Sequence, residues 1–253
     1  MRSLLIRSIF AAVAALAVSS AAYASDLPVR PAYRAQTSAN AYVQQNWTGL
    51  YIGLNAGYGW GKSQNLAPYN YFNNLDVSAA ARGMTLGGRL GYRHQVNAFT
   101  IGGFGDFDLA TMKGSGDSNE TIFGFVPLTS SLKTSIDRLW SVRGELGWSP
   151  LHNVLLTGNV GFGGVSGNVS GNGSIFGTPV TNFDQRVSKT GLVYGAGAVY
   201  RLPNNWFASI DWSHYQAGSA DVVMTTPYVG TQVGNVDLNV NVIKVGLNHK
   251  FDF

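Results

Sequence analysis

The sequence predicts an all-β chain, an eight-stranded antiparallel up-and-down transmembrane β-barrel. Three observations carry this. From Trp47 onward, apolar residues alternate with small or polar ones at period two, the repeat of a strand with two unlike faces. Charged residues make up 12% of the chain, against about 25% in soluble domains, while aromatics also reach 12% and glycines number 32. The connections between the alternating stretches are short and long in turn. A chain so poor in charge lacks the surface polarity of a soluble domain, but it suits one that turns a face to lipid.

The first element is a leader. Arg2 and Arg7 precede the apolar run from Ile9 to Val18, and small residues follow as far as Ala22-Tyr23-Ala24. This is the pattern of a secretory signal peptide over 1–24, with an A-x-A-like cleavage site before Ser25. The run is about half the roughly 20 residues that a spanning helix needs. Removing Arg2 and Arg7 takes the formal net charge from +4 to +2, and no basic cluster with interleaved aromatics remains, which argues against nucleic acid as a partner. The chain has no cysteine, so disulfides, thiolate metal sites and cysteine nucleophiles are excluded. Residues 25–46, with Pro28 and Pro31 and no periodicity, are expected to form an irregular periplasmic segment. The barrel then occupies 47–253.

The strands follow in order. Over 50–60, Leu50, Ile52, Leu54, Ala56, Tyr58 and Trp60 oppose Gly53, Asn55, Gly57 and Gly59. The second stretch sets Met84, Leu86, Leu90 and Tyr92 against Thr85, Gly87, Arg89 and Arg93. The third sets Phe99, Ile101 and Phe107 against Thr100, Asp106 and Asp108. In the fourth, Trp140, Val142, Leu146 and Trp148 oppose Ser141, Arg143, Glu145 and Gly147. Val154, Leu156, Val160 and Phe162 mark the fifth, and Leu192, Tyr194, Ala196, Ala198 and Tyr200 the sixth. The seventh sets Trp206, Ala208, Ile210 and Trp212 against Ser209, Asp211 and Ser213. In the last, Ile243, Val245, Leu247, Phe251 and Phe253 share one face, and Leu238, Val240 and Val242 lie one register off. That slip predicts a β-bulge near Val242.

Short connections at 93–98, 149–153 and 202–205 alternate with long, Gly-, Ser-, Asn- and Thr-rich ones at 61–80, 110–134, 166–188 and 216–236. Tight periplasmic turns and long outer loops are the topology of outer-membrane barrels. A soluble barrel would also alternate, but here the charges sit opposite the apolar faces. Trp47, Tyr92, Trp148, Tyr200 and Trp206 fall at the turn end, and Tyr58, Trp60 and Trp212 at the loop end, as expected of aromatic girdles at two lipid boundaries. Trp140 and Trp148 share a face roughly 26 Å apart at about 3.3 Å per residue. A tilt of about 40° reduces this to roughly 20 Å of height, near the apolar band of such barrels.

The run Trp47-Thr48-Gly49-Leu50-Tyr51-Ile52-Gly53-Leu54-Asn55-Ala56-Gly57-Tyr58-Gly59 resembles the first strand of the small outer-membrane β-barrel family related to opacity proteins and the OmpA barrel, also called the porin family of outer-membrane proteins. Lys244-Val245-Gly246-Leu247-Asn248 with its aromatic ending resembles that family's last strand, with His249 at one aromatic position. The resemblance covers about 46–253. It implies a Gram-negative outer-membrane location and an assembly signal in Gly246, Phe251 and Phe253, read by the barrel-assembly machinery. Members are variously structural, porin-like, adhesive or haem-binding, so the resemblance implies no single role.

An eight-stranded barrel has an interior just wide enough for its own side chains, so bulk diffusion is not expected. Its inward charges, Arg89, Arg93, Asp106, Asp108, Arg143, Glu145, Asp211 and Lys244, are expected to pair, because unpaired buried charge is costly. Arg89 is expected to meet Asp106, and Arg143 the cross-strand neighbours of Glu145. The network reads as a plug or, alternatively, as a gated narrow ion path. Lys62, Arg82, Arg138 and Arg186 share the lipid-facing parity beyond the apolar band at the loop end. There they are expected to form a collar for lipopolysaccharide phosphates, which guanidinium groups bind bidentately.

Catalysis is not expected. Ser213 and His214 are adjacent, so they point to opposite faces and cannot serve one another. His94, His152, His214 and His249 show no metal-ligand spacing, and no cofactor is expected. Haem binding, implied only by relatives, would rest on Tyr69, Tyr71 or His214. The expected role is structural, in envelope integrity, or surface interaction. A narrow channel and an adhesive or ligand-binding surface acting through the loops stay open. The expected partners are outer-membrane lipid, lipopolysaccharide and the assembly machinery, with the barrel a monomer.

Overall fold

The computed structural model describes residues 46–66, 77–122, 126–226 and 230–251. Within these, eight strands form: β1 (Gly49–Leu66), β2 (Val77–Val96), β3 (Phe99–Ile122), β4 (Val126–Leu151), β5 (Val154–Ile175), β6 (Thr178–Arg201), β7 (Trp206–Thr226) and β8 (Gly230–Phe251). Each pairs antiparallel with its sequence neighbours, and β8 closes on β1 from Leu50 opposite Phe251 to Leu66 opposite Asn235. Closure satisfies backbone groups that lipid would leave orphaned. The signal segment, the residues before Asn46, and Phe253 of the terminal signal lie outside the described residues.

In the lower half the alternation reads as expected. Leu54, Leu86, Leu146 and Phe162 are 72, 65, 66 and 69% exposed, an apolar outer band that only lipid can cover. Exposed Tyr92, Trp148, Tyr200 and Trp206 rim one end of it, and Tyr58, Trp140 and Trp212 the other. Trp47 departs from the expected girdle: it is buried and stacks on Phe207, ring centroids 5.5 Å apart. Trp47 shares the inward, odd parity of Tyr51, and Gly49, the first residue of β1, lies between them at φ +146°.

Two expectations are corrected above the band. The segments read as long loops are mostly paired strand; β3 and β4 remain paired as far as Ile122 opposite Val126, and β5 and β6 as far as Ile175 opposite Thr178. The reason is an inversion of polarity. Here Met112, Leu132, Val165, Val169, Val240 and Val242 point inward and are buried, while Lys113, Ser115, Lys133, Asn168 and Arg186 point out. The membrane part is an inside-out barrel and the outer part a right-side-out one. The same inversion removes the bulge expected near Val242: pairing of β7 with β8 runs unbroken from Trp206 opposite His249 to Gln216 opposite Asn239. Val242 faces the lumen because the lumen itself has become apolar at that height.

Above the band the register shifts include those on β3 between Leu109 and Met112, on β4 between Ile136 and Arg138, and on β7 between Gln216 and Ser219 with Gly218 at φ +72°. Such bulges bend a strand and increase its twist. Above them two pairings end, β2 with β3 at Arg82 opposite Lys113 and β6 with β7 at Leu192 opposite Gln216. The outer part therefore divides into two four-stranded sheets, β7-β8-β1-β2 and β3-β4-β5-β6, around the apolar core. Across the second seam Gln185 stands in for the missing ladder. Its Nε2 donates to Val223 O at 3.0 Å, and its Oε1 accepts from Val223 N at 3.1 Å.

Candidate functional site

The lumen of the membrane part holds the charges. Inward parity places Arg89 and Arg93 on β2, Asp106 and Asp108 on β3, Arg143 and Glu145 on β4, Asp211 on β7 and Lys244 on β8, and all eight are buried. Arg89 sits directly opposite Asp106 in the ladder, as does Asp211 opposite Lys244. Arg89 donates from Nε to Asp106 Oδ1 at 2.7 Å and from Nη1 across the lumen to Asp211 Oδ2 at 3.0 Å. Lys244 Nζ bridges Asp106 Oδ2 at 3.0 Å and Asp108 Oδ2 at 2.9 Å.

Arg143 donates to Asp106 as well, and through Nη1 to Asn159 Oδ1 at 2.9 Å and Ser213 Oγ at 2.7 Å. Asn159 is the residue paired with Glu145 on β5. Glu145 itself takes Arg93, with Nε to Oε1 at 2.5 Å and Nη2 to Oε2 at 3.2 Å. Asp106 is thus the hub: it receives three cations, and the whole set balances as Arg89, Arg93, Arg143 and Lys244 against Asp106, Asp108, Asp211 and Glu145. Charges removed from water are tolerated when paired and hydrogen-bonded in this way.

Several participants were not singled out from sequence. Phe104 lies between two guanidinium groups, 4.5 Å from Arg89 and 4.6 Å from Arg143, and Tyr51 lies 4.5 Å from Arg93. These stacks add cation–π attraction to the ion pairs. Gly91 makes room: a Cβ there would stand 2.5 Å from Tyr51 Oη and 2.7 Å from Phe104 Cβ. Lys250 is also buried, its Nζ donating to the carbonyls of Asn46 and Thr48 at 3.2 Å each. Its inward parity was the available signal.

The network is closed off at both ends. Toward the turns, Trp47, Leu155, Val199 and Phe207 form a buried apolar floor. Toward the outer end, Met112, Leu139, Val193, Tyr215 and Val242 belong to the apolar core that forms a roof. Among the described residues the lumen is therefore three layers deep: apolar, charged, apolar.

The expected collar residues fall on four strands, β1, β2, β4 and β6. Lys62 lies on β1 opposite Ala80 and Asn239. Arg82, Arg138 and Arg186 all point outward, but they are not equivalent. Arg186 Nη2 is 3.0 Å and Arg138 Nε 3.8 Å from Asp137 Oδ2, so one acid engages both. Ser213 points inward to Arg143, whereas His214 points outward, its Nδ1 2.9 Å from Asn241 Oδ1 and its ring against Tyr194 and Trp212. Tyr69 and Tyr71 lie outside the described residues. Of the proposed terminal signal, Gly246 pairs with Asn55 and Ser209, and Phe251 with Leu50.

Known proteins agree with this architecture. Residues 8–251 match the family model described as an outer membrane protein beta-barrel domain. The chain is 27% identical over 256 residues to a 31 kDa outer-membrane immunogenic protein of Brucella melitensis, covering 96% of this chain and 98% of that one, and equally to its Brucella suis counterpart. Among solved structures, OprG of Pseudomonas aeruginosa superposes with a TM-score of 0.51 at 12% identity, covering 83% of this chain and 99% of that one. Ail of Yersinia pestis covers 81% and 99% at 17% identity, with a TM-score of 0.35. With a matched family model spanning nearly the whole chain and an eight-stranded barrel with a lipid-facing band, the chain belongs to the outer membrane protein beta-barrel domain family and is an integral β-barrel of the Gram-negative outer membrane.

Proposed function

We propose that this barrel is a sealed membrane anchor that presents a rigid two-sheet head to the outside, serving envelope integrity or surface interaction rather than solute passage. The observation that carries this reading is the three-layered lumen. An ion path would have to cross the Trp47–Phe207 floor and the Met112–Val242 roof, and it would have to break a balanced network centred on Asp106. Rearranging buried ion pairs in this way costs several kcal/mol for each partner left uncompensated.

No catalytic role is proposed, since Ser213 and His214 lie on opposite sides of the wall. The naming of the Brucella relatives as immunogenic proteins supports an exposed head. Planar-bilayer recording on the purified barrel tests the reading. We expect a silent membrane at potentials where a porin control conducts. Reproducible conductance steps that disappear when the protein is heat-unfolded would overturn it.

A further inference from the structure

We propose that the outer wall of β2 to β5, just above the membrane band, is a binding site for the phosphorylated sugar of lipopolysaccharide, organised by Lys113 and Lys133 with Arg82. The inference rests on the sealed-anchor reading only in that ligands must bind outside the wall. The cross-strand register builds the site in two outward rows. The first runs Arg82, Lys113, Ser135, Asn168, each directly opposite the next on β2 to β5. The second, one tier further out, runs Ser115, Lys133, Ser170 and ends on β6 at Asp184. Between them lies an open groove of about 660 Å³ lined by Lys113, Lys133, Asn168, Ser170 and Asp184 among others. That size lies within the range of small-ligand sites.

Three features select the ligand. Arg82 and Lys113 are like charges directly across a ladder, an arrangement that destabilises a sheet unless an anion lies between them. Among the described residues neither they nor Lys133 have a carboxylate within 4 Å, unlike Arg138 and Arg186, which share Asp137. Lys113 and Lys133 are diagonal neighbours on adjacent strands, about 7–8 Å apart at the backbone, a spacing at which two ammonium groups can reach one phosphate. The interleaved Ser135, Asn168, Ser170 and Asp184 supply the hydroxyl, amide and carboxylate groups that hydrogen-bond sugar hydroxyls.

Height selects the source. On β3 the last lipid-facing apolar residue is Leu109, and Lys113 lies two outward positions beyond it. That is about 13 Å along the strand, or about 10 Å of height at a tilt of about 40°. This depth is above the acyl chains, where a glycolipid of the outer leaflet carries its phosphorylated sugars. The site is thus distinct from the expected collar of Lys62, Arg82, Arg138 and Arg186, and it keeps only Arg82 from that set.

The test is titration of the mature chain, refolded in detergent, with deacylated lipopolysaccharide, with the same oligosaccharide after chemical dephosphorylation, and with inorganic phosphate. We expect the phosphorylated oligosaccharide to bind at least tenfold more tightly than either of the others. The double variant Lys113→Ser plus Lys133→Ser should weaken it at least tenfold, each single variant about threefold, and Arg138→Ser less than twofold. Heat-modifiable electrophoretic migration confirms that each variant is folded; if the double variant is not, the singles decide. Equal affinity for the dephosphorylated sugar, equal affinity for inorganic phosphate, or undiminished binding by the folded variants would each overturn the proposal. Bilayer conductance is independent of all three results, so a failure here leaves the sealed-anchor reading to its own test.

Discussion

Asp106 offers the sharpest test of the lumen as a stabilising plug. It accepts hydrogen bonds from Arg89, Arg143 and Lys244 at once, and its side chain is fully buried. Around it, Arg89, Arg143 and Lys244 are balanced by Asp106, Asp108 and Asp211. Asp106→Asn keeps the shape but leaves one uncompensated cation in the closed lumen, a change that costs about 3–5 kcal/mol when a buried partner is lost. Asp108 touches only Lys244 among these cations, so Asp108→Asn should cost less, about 1.5–3 kcal/mol, the range for one charge-assisted hydrogen bond. Restoring neutrality with Asp106→Asn plus Lys244→Met should recover more than 1 kcal/mol relative to the sum of the single changes. Equilibrium urea unfolding in lipid vesicles, followed by tryptophan fluorescence, reads all three. An Asp106→Asn cost below 1 kcal/mol, or one no larger than that of Asp108→Asn, would show that water rather than the network screens the lumen.

Other expectations follow from the same geometry. Leu54→Arg, on the lipid face, should destabilise by about 2–4 kcal/mol if it lies near the bilayer midplane, while Ser170→Arg on the head should change the unfolding midpoint little; equal costs would mean that the band is misplaced. Gly91→Ala pushes a methyl group onto Tyr51 and Phe104, and overpacking of this kind costs about 1–3 kcal/mol, measurable by the same unfolding assay. Gln185→Leu removes the clasp to Val223, so the Val223 amide should exchange its hydrogen at least fivefold faster by mass spectrometry with global stability nearly unchanged. No change at Val223 would show that the seam is held by something else.

The lipid-facing band and the sidedness of every strand in it were legible, because from Leu50 to Leu247 the outward positions there are consistently apolar and the charged residues all fall on the inward ones. The head was not. Its outward Ser, Asn and Lys residues read as loop, and its inward Leu238, Val240 and Val242 read as a register slip, because the alternation continues while the meaning of its two faces is exchanged. Only the tertiary surroundings, lipid below and water above, tell which face is which. Parity alone gathered the eight lumen charges. Neighbouring strands already set Arg89 against Asp106 and Arg143 against the neighbour of Glu145, Asn159, but the contacts across the lumen were not readable, since Arg89 with Asp211, Lys244 with Asp106 and Arg143 with Ser213 join strands that curvature brings across the barrel. Phe104 was passed over because an inward aromatic breaks the polar pattern; its flat faces for two arginines exist only once β2 and β4 flank it. Lys113 and Lys133 fell in segments read as loop, so their shared face was invisible.

The exchange of faces partway up the strands also works as a depth gauge. Sliding the barrel outward by one side-chain tier, roughly 5 Å of height at a tilt of about 40°, would bare leucine and phenylalanine to water. Sliding it inward by the same amount would draw Arg82, Arg138 and Arg186 toward hydrocarbon, where each charge becomes more costly with depth. Both displacements are opposed by residues on every strand around the circumference, so the vertical position is set collectively rather than by any single anchor. A head held at one altitude above the acyl chains meets the same layer of the envelope at all times.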